Sequence, residues 1–377
     1  MKDTCRILAI NPGSTSTKIA IFDDDREIYK ETIDHPAEEL RKFKEIQDQL
    51  LYRKETVEKS VAARGLALEG IDVFVGRGGG LVPCLGGTYE INETLVDHAS
   101  RGMSGQHPAQ LASQICRLLM DRYGGRGFVV NPPDTDEFEE IARISGVKGL
   151  YRESRIHALN QKEAALRYCK QAGKDYAASR FIICHIGGGI SITAHKYGRM
   201  VDSNDIMNGD GPMMPTRSGT LPYLKTLHMA FSGKWNEKEL TARLNRDGGL
   251  VDHLGTADAR EVEKRIGEGD SYAKIVYDAM IYQIGKSVGS CACVLEGKVD
   301  AIILTGGISA SEYLTGALKK YIQWIAPVHA LPGEFEMEAL ASGALRVLRG
   351  EEQPRVYDGV PVWQGFDLSR EESHDRA

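Results

Sequence analysis

The chain opens on an apolar run at residues 7–10, which stops at Asn11-Pro12-Gly13-Ser14-Thr15-Ser16-Thr17-Lys18 and resumes at once over 19–22. Both runs are short, rich in β-branched residues and bounded by turn formers, so two strands joined by a tight polar turn are predicted. Asp23-Asp24-Asp25 makes the next turn, and 27–33 reads as a third strand. Residues 37–64 carry Leu40, Phe43, Ile46, Leu50 and Leu51 at helical spacing and predict a charged helix. A buried-type strand over 71–75 runs into Gly76-Arg77-Gly78-Gly79-Gly80. An amphipathic helix over 107–122 follows, then a strand over 127–130 that stops at Asn131-Pro132-Pro133-Asp134.

The same opening recurs in the second half. Residues 180–186 read as a strand, Gly187-Gly188-Gly189-Ile190-Ser191 as a glycine and hydroxyl turn, 192–196 as a strand, Tyr197-Gly198 as a turn and 199–203 as a third strand. Helices are expected near 235–247 and over 259–296, then a strand over 299–304 ending in Thr305-Gly306-Gly307-Ile308-Ser309. The last periodic stretch, 337–349, predicts a helix followed by a loosely ordered polar tail. Two such series predict an α/β protein of two related domains with mixed sheets, residues 1–175 and 176–377, meeting in the polar segment 171–179. Clefts between such halves are common ligand sites.

Composition narrows the function classes. The 377 residues exceed one ordinary core, and 42% hydrophobic with 27% charged residues is the balance of a globular protein in water. A formal charge of -6 argues against sequence-independent nucleic-acid binding, and no apolar run approaches a membrane span. Seven cysteines without repeated spacing suit thiols in a reducing cytoplasm better than a disulfide framework. The early first strand leaves little room for a secretion signal, so the cytoplasm is the expected compartment. None of the ten histidines falls into a zinc-ligand spacing.

The candidate chemistry lies at strand ends, in the turns 11–18, 187–191 and 305–309. Glycine lets backbone N–H groups approach an anion, hydroxyls donate to phosphate oxygens, and Lys18 adds a positive charge. One such turn is an ordinary polar hairpin; three at matching positions point to a site that cradles several phosphates. Met280 stands where a P-loop would need a glycine ahead of Gly285-Lys286-Ser287, and none of the turns reads Gly-x-Gly-x-x-Gly. Arg77, ahead of three glycines, and Arg217, in Pro215-Thr216-Arg217-Ser218-Gly219, can grip carboxylate or phosphate in bidentate fashion, although most arginines are plain surface residues. Alone, His157 reads as a structural histidine, Asp258 and Arg260 as a helix cap with an exposed charge, and Glu336 and Glu338 as acids answering a helix dipole.

Together these stretches are similar to a known family. Residues 10–18 (INPGSTSTK), 76–81 (GRGGGL), 86–92 (GGTYEIN), 156–162 (IHALNQK), 185–191 (HIGGGIS), 209–212 (GDGP), 216–222 (TRSGTLP), 304–308 (LTGGI) and 332–340 (PGEFEMEAL) resemble, in unbroken order, the acetate and butyrate kinase family. The family belongs to the duplicated actin-like and Hsp70-like phosphotransferases. The resemblance implies duplicated ribonuclease H-like domains, an active site in the cleft between them, and a last helix that packs back on the N-terminal domain. It implies reversible Mg2+-dependent phosphoryl transfer from ATP to a short-chain carboxylate, most closely butanoate, giving ADP and an acyl phosphate. Acetate, propionate or a branched acid is the alternative substrate, and a nucleotide-binding relative with little turnover the alternative function.

The resemblance also assigns residues. Asn11, Ser14, Ser16 and Lys18 would address phosphate, with Asn11 and Glu336 at Mg2+. Arg77 would hold the acyl group or its phosphate, and His157 and Arg217 the phosphoryl group in transit. His185, Gly187, Gly188 and Gly189 would lie along the nucleotide phosphates, with Asp258, Arg260, Gly306, Gly307 and Ile308 around the nucleoside. A homo-oligomer is implied, with neither nucleic acid nor membrane as partner. A carboxylate nucleophile is already ionised at neutral pH, so no general base is needed. Two positions depart from the family: Asn131 replaces a catalytic-site aspartate, and His107-Pro108-Ala109-Gln110 replaces His-x-x-Asn. Asp134 or Asp136 would be the candidates to supply the missing charge.

Overall fold

The computed structural model describes residues 4–366. The first strand, β1 (Arg6–Pro12), is apolar over residues 7–10 because both of its faces are covered. Leu8 and Ile10 pack with Ile19, Ile21, Phe74, Leu111 and Val129, whereas Ile7 and Ala9 pack with Phe22, Val75, Phe128, Leu340 and Ala344. An antiparallel meander runs from β1 through β2 (Ser16–Asp23) to β3 (Arg26–Asp34). On the other side of β1 come β4 (Val73–Gly76) and β6 (Arg126–Val130), both parallel, and β5 (Thr88–Glu90) closes the edge antiparallel to β6.

The second sheet repeats the plan. The meander is β7 (Arg180–Ile186), β8 (Ile190–Lys196) and β9 (Arg199–Ser203), and β10 (Ala301–Thr305) and β11 (Val328–Ala330) lie parallel on the far side of β7. The strand orders are β3-β2-β1-β4-β6-β5 and β11-β10-β7-β8-β9. Without β5 they match step for step in order and sense, which is the expected duplicated α/β fold. The three-residue strands β5 and β11 are too short to leave a periodic signal in sequence.

Several helix boundaries differ from expectation for local reasons. The helix expected over 37–64 is two pieces, Ala37–Leu40 and Leu50–Ala63; Leu51 is 62% exposed, and the buried face is Arg53, Val57 and Val61. The spacing of Leu40, Phe43 and Ile46 serves single turns as well as a helix. The helix expected over 259–296 breaks at Gly269, whose φ of 95° stops Ala259–Gly267, and Asp270 caps Ser271–Val294 by accepting from the Ala273 N–H at 2.9 Å. At 107–122 a 3₁₀ turn, Pro108–Gln110, precedes the helix Leu111–Tyr123, because the His107 ring accepts from the Ala109 N–H and the Gln110 amide returns to the His107 N–H.

The last helix, Glu336–Leu348, lies on the six-stranded sheet, with Met337, Leu340, Ala344 and Leu345 in its core. Gly343 lets it come close: a Cβ there would stand 2.5 Å from Val130 Cγ1. The expected loose tail is packed as far as it is described. Arg355 pairs along the edge of β5, Tyr357 is 2% exposed and its hydroxyl accepts from the Val82 N–H at 3.0 Å, and Trp363 lies 4.8 Å under Arg143. Residues 367–377 of that tail lie outside the described residues. Among the described residues no helix is long and apolar enough to cross a membrane.

Candidate active site

Three adjacent strand ends build one wall. Register aligns Ile10 of β1 with Gly76 of β4, and Gly76 with Val129 of β6, so Asn11 and Arg77 emerge level with Val130, and Asn131 follows one residue further on. Ligands of open α/β sheets collect at such carboxyl ends. Behind Arg77 the chain turns through Gly78, Gly79 and Gly80, all with positive φ, and a Cβ on Gly78 would stand 2.5 Å from Val129 Cγ1. Only glycine fits there.

The opposite wall comes from β7, the turn Gly187–Gly189 and the helix Ala158–Ala172, which His157 immediately precedes. The His157 and His185 rings stack with centroids 3.8 Å apart. The Gln161 amide donates to Ser191 Oγ at 2.7 Å, so the Ser191 hydroxyl donates to His157 Nδ1 at 2.8 Å, leaving Nε2–H to face the cavity. Asn160 donates to the carbonyls of Gly333 and Glu334 at 3.2 and 2.5 Å, so its oxygen accepts from His185 Nδ1 at 2.7 Å. Burial, and then His185, Arg77 and Arg217, hold the His157 pKa well below its ordinary value. Burial lowers that of His185 to about 4, against an upward pull from Glu336. Both rings are neutral at pH 7.

Glu336 ties the first wall together. It accepts from Asn11 Nδ2 at 2.9 Å and Lys18 Nζ at 3.3 Å, and pairs with Arg77 Nη1 at 3.3 Å. Burial lowers the Lys18 pKa, but Glu336 and Glu334 outweigh it and the net shift is upward. Arg217 stands across the cleft: a Cβ on Gly189 would lie 2.6 Å from its Nη1 and 3.2 Å from His157 Nε2. Burial lowers the Arg217 pKa. The space between, about 210 Å³, is lined by Arg77, Asn131, His157, His185, Gly188, Gly189 and Glu336. Larger clefts of about 520 and 700 Å³ lie beside the last helix; the second shares Asn131 with this cavity, and both hold cations, but neither is lined by a histidine or by the turn Gly187–Gly189.

Two buried polar atoms here have no partner, Asn11 Oδ1 and Arg217 Nε. A lone amide oxygen beside a carboxylate is a hard oxygen set, which fits Mg2+ shared with substrate phosphates. The unpaired guanidinium N–H fits an anion.

The sequence-derived residues are not all gathered. Ser14 is exposed, and Ser14 and Ser16 present their carbonyls to Arg53. Gly306 abuts the Ile186 backbone, next to Gly187, with Gly307 and Ile308 opening a short turn after it. Asp258 and Arg260 pair with each other at 2.7 Å on the surface, at the start of Ala259–Gly267, and do not line the cavity. Neither acid proposed to replace the charge lost at Asn131 does so. Asp136 is locked in a bidentate pair with Arg143 at 2.7 Å, and Asp134 accepts from the Leu81 N–H and the Ser104 hydroxyl. Asn131 instead accepts from the Gly87 N–H at 2.8 Å, which leaves its amide N–H groups as the free end. Sequence reasoning gave no role to Asn160, although it lies one turn after His157 on the same helical face.

Comparison with known proteins agrees with this geometry. Residues 151–319 match the model of the acetokinase family. Over 352 residues the chain is 44% identical to butyrate kinase 2 of Clostridium acetobutylicum, covering 93% of this chain and 99% of the relative. It is 42% identical to a probable butyrate kinase of Clostridium botulinum over the same shares. Acetate kinase of Porphyromonas gingivalis superposes with a TM-score of 0.74 at 20% identity, over 91% of this chain and all of that one. A propionate kinase of Francisella tularensis gives 0.73 at 17% identity, over 89% and 98%. The chain is a member of the acetokinase family, on the side of its butyrate kinases.

Proposed function

We propose that this protein transfers a phosphoryl group reversibly between ATP and the carboxylate of a short-chain fatty acid, butanoate first among them. The observation that carries the reading is a small cavity lined by Arg77 and a neutral His157 from opposite walls of two duplicated sheets, with Lys18 paired to its lining residue Glu336 and Arg217 against its lining residue Gly189. The site has cations and donors for two anions but no base, and an ionised carboxylate needs none. Its task is to align nucleophile and phosphorus and to stabilise charge spread over the equatorial oxygens.

In this reading Arg77 and the free amide N–H groups of Asn131 hold the carboxylate. His157 Nε2–H and Arg217 donate to the phosphoryl oxygens, and Lys18 approaches the same group from the turn 11–18. The turn Gly187–Gly189 and His185 follow the nucleotide phosphates, with Gly306, Gly307 and Ile308, and further out Asp258 and Arg260, towards the nucleoside. Asn11 Oδ1 and Glu336 would hold Mg2+, which neutralises charge on the bridging phosphates. Closing the two halves excludes water, the competing nucleophile. The same reading takes the protein as a cytoplasmic homo-oligomer.

A hydroxamate assay for acyl phosphate, over straight and branched acids of increasing length, tests this. Product with butanoate at the highest kcat/KM supports it; ATP binding by calorimetry with no product from any short acid refutes it in favour of binding without turnover.

A further inference from the structure

The helix Leu50–Ala63 buries an arginine behind the turn that opens the chain. Arg53 is 0% exposed, and among the described residues no carboxylate pairs with it. Its donors go to neutral acceptors: Nε to Gln49 Oε1 at 2.9 Å, Nη1 to Ser16 O and Thr17 Oγ1 at 3.1 Å each, and Nη2 to Ser14 O at 3.4 Å. Burial lowers its pKa to about 10, so it is a cation at neutral pH. The titratable neighbour at Thr17, His35, is neutral there, since burial and then Arg53 lower its pKa to about 4. A buried charge with only neutral partners is costly to keep.

The arrangement holds the turn from one side, while Ser14 and Thr15 stay exposed. Three of the four acceptors belong to residues 14–17. In a trans peptide the C=O and the following N–H point in opposite directions, so holding the Ser14 carbonyl turns the N–H of exposed Thr15 away from Arg53, while the Ser16 carbonyl is shared with the Gly13 N–H at 2.7 Å and Thr17 lies in the sheet between Pro12 and Ile33. We propose that Arg53 is a positioning residue whose counter-charge is the phosphoryl group at this turn: it fixes the turn from behind and supplies a permanent positive field to the anion in front. This rests on the functional reading above, which places the phosphoryl group at the turn.

Gln49→Glu gives the guanidinium a carboxylate of nearly the same shape, and Arg53→Gln removes the charge. Each is measured for thermal stabilisation by inorganic phosphate and for KM of the acyl phosphate and of ADP. The expected result is a rise of about tenfold in the phosphate needed for half-maximal stabilisation and in the acyl-phosphate KM, with the ADP KM within about twofold. Gln49→Glu should melt no lower than the wild type, and Arg53→Lys should recover most of what Arg53→Gln loses. A merely structural Arg53 predicts that Gln49→Glu leaves phosphate binding and KM unchanged, and that outcome overturns the proposal; if Arg53→Gln does not fold, Gln49→Glu decides alone. A wild type with neither phosphate stabilisation nor hydroxamate product refutes the functional reading and this inference with it. A wild type with both, and variants that match it, refutes the inference only.

Discussion

Gly189→Ala probes the site with a single methyl group. No positive φ forbids alanine at this position, so the effect comes from the space the methyl takes. Its Cβ would lie 2.6 Å from Arg217 Nη1, 3.1 Å from His157 Cε1 and 3.2 Å from His157 Nε2. Restoring an ordinary contact moves the guanidinium by about 0.8 Å and presses the imidazole aside. Misplacing a reacting or stabilising group by about 1 Å can cost about 100-fold in rate, or about 2.7 kcal/mol in the barrier. Folding loses far less, below about 1 kcal/mol, because the tip of an arginine gives way easily. The expected outcome is a kcat lower by about two orders of magnitude in the hydroxamate assay, with a melting temperature within a few degrees of wild type. Gly316→Ala, in the helix Glu312–Ile322 and outside the cavity lining, is the control: nothing lies within 4 Å of the Cβ that residue would gain, so its rate should stay within about twofold. A Gly189→Ala enzyme with a kcat within about threefold of wild type, at unchanged stability, refutes the placement of Arg217 and His157 on the reacting group.

Lys18→Ala should lose about 100-fold in kcat while ATP affinity by calorimetry changes less than about threefold, and equal losses in both would count against Lys18 acting on the group in transit. Glu336→Gln keeps the shape and removes the charge, so the Mg2+ needed for half-maximal rate should rise about tenfold; an unmoved Mg2+ dependence removes Glu336 from the metal. His35 takes up a proton near pH 6.5 in the unfolded chain but only near pH 4 in the fold, so its contribution is present above pH 6.5 and is lost as pH falls towards 4, up to about 3 kcal/mol. Melting temperatures should therefore fall from pH 7 to pH 5, less steeply in His35→Gln, and parallel curves for the two proteins refute this. Tyr357→Ala empties a buried site and leaves the Val82 N–H without its acceptor, and should cost about 3–5 kcal/mol in denaturant melts at the same slope.

What was legible in the chain was whatever is local. The duplicated strand–turn–strand series and the glycine run after Arg77 are patterns of neighbours, and the structure places both where the pattern implies. Asn11, Arg77 and Asn131 meet because each ends a strand of one parallel set, which the apolar runs already outline. Glu336 is another matter. As a first-turn acid it has a sufficient local explanation, and its bond to Asn11 spans 325 positions. The family resemblance pointed to it; spacing could not. Arg53 gave one overlooked cue, a charge on the stripe shared with Val57 and Val61. Asp134 and Asp136 were near enough in sequence to replace Asn131, yet their partners, Ser104 and Arg143, were set by packing that no periodicity reveals.

The last helix also has a consequence for how the protein comes into being. The sheet face formed by Ile7, Phe22, Val75 and Phe128 is covered by Leu340, Ala344 and Leu345, the product of the far end of the message. During synthesis, at roughly 5–20 residues per second, that face waits some tens of seconds for its cover while the whole second sheet is made. The nascent N-terminal half is thus a sticky intermediate, and a chain stopped before residue 336 lacks both the cover of its core and the carboxylate that joins Asn11, Lys18 and Arg77. The carboxylate that holds Asn11, Lys18 and Arg77 thus arrives on the segment that completes the fold.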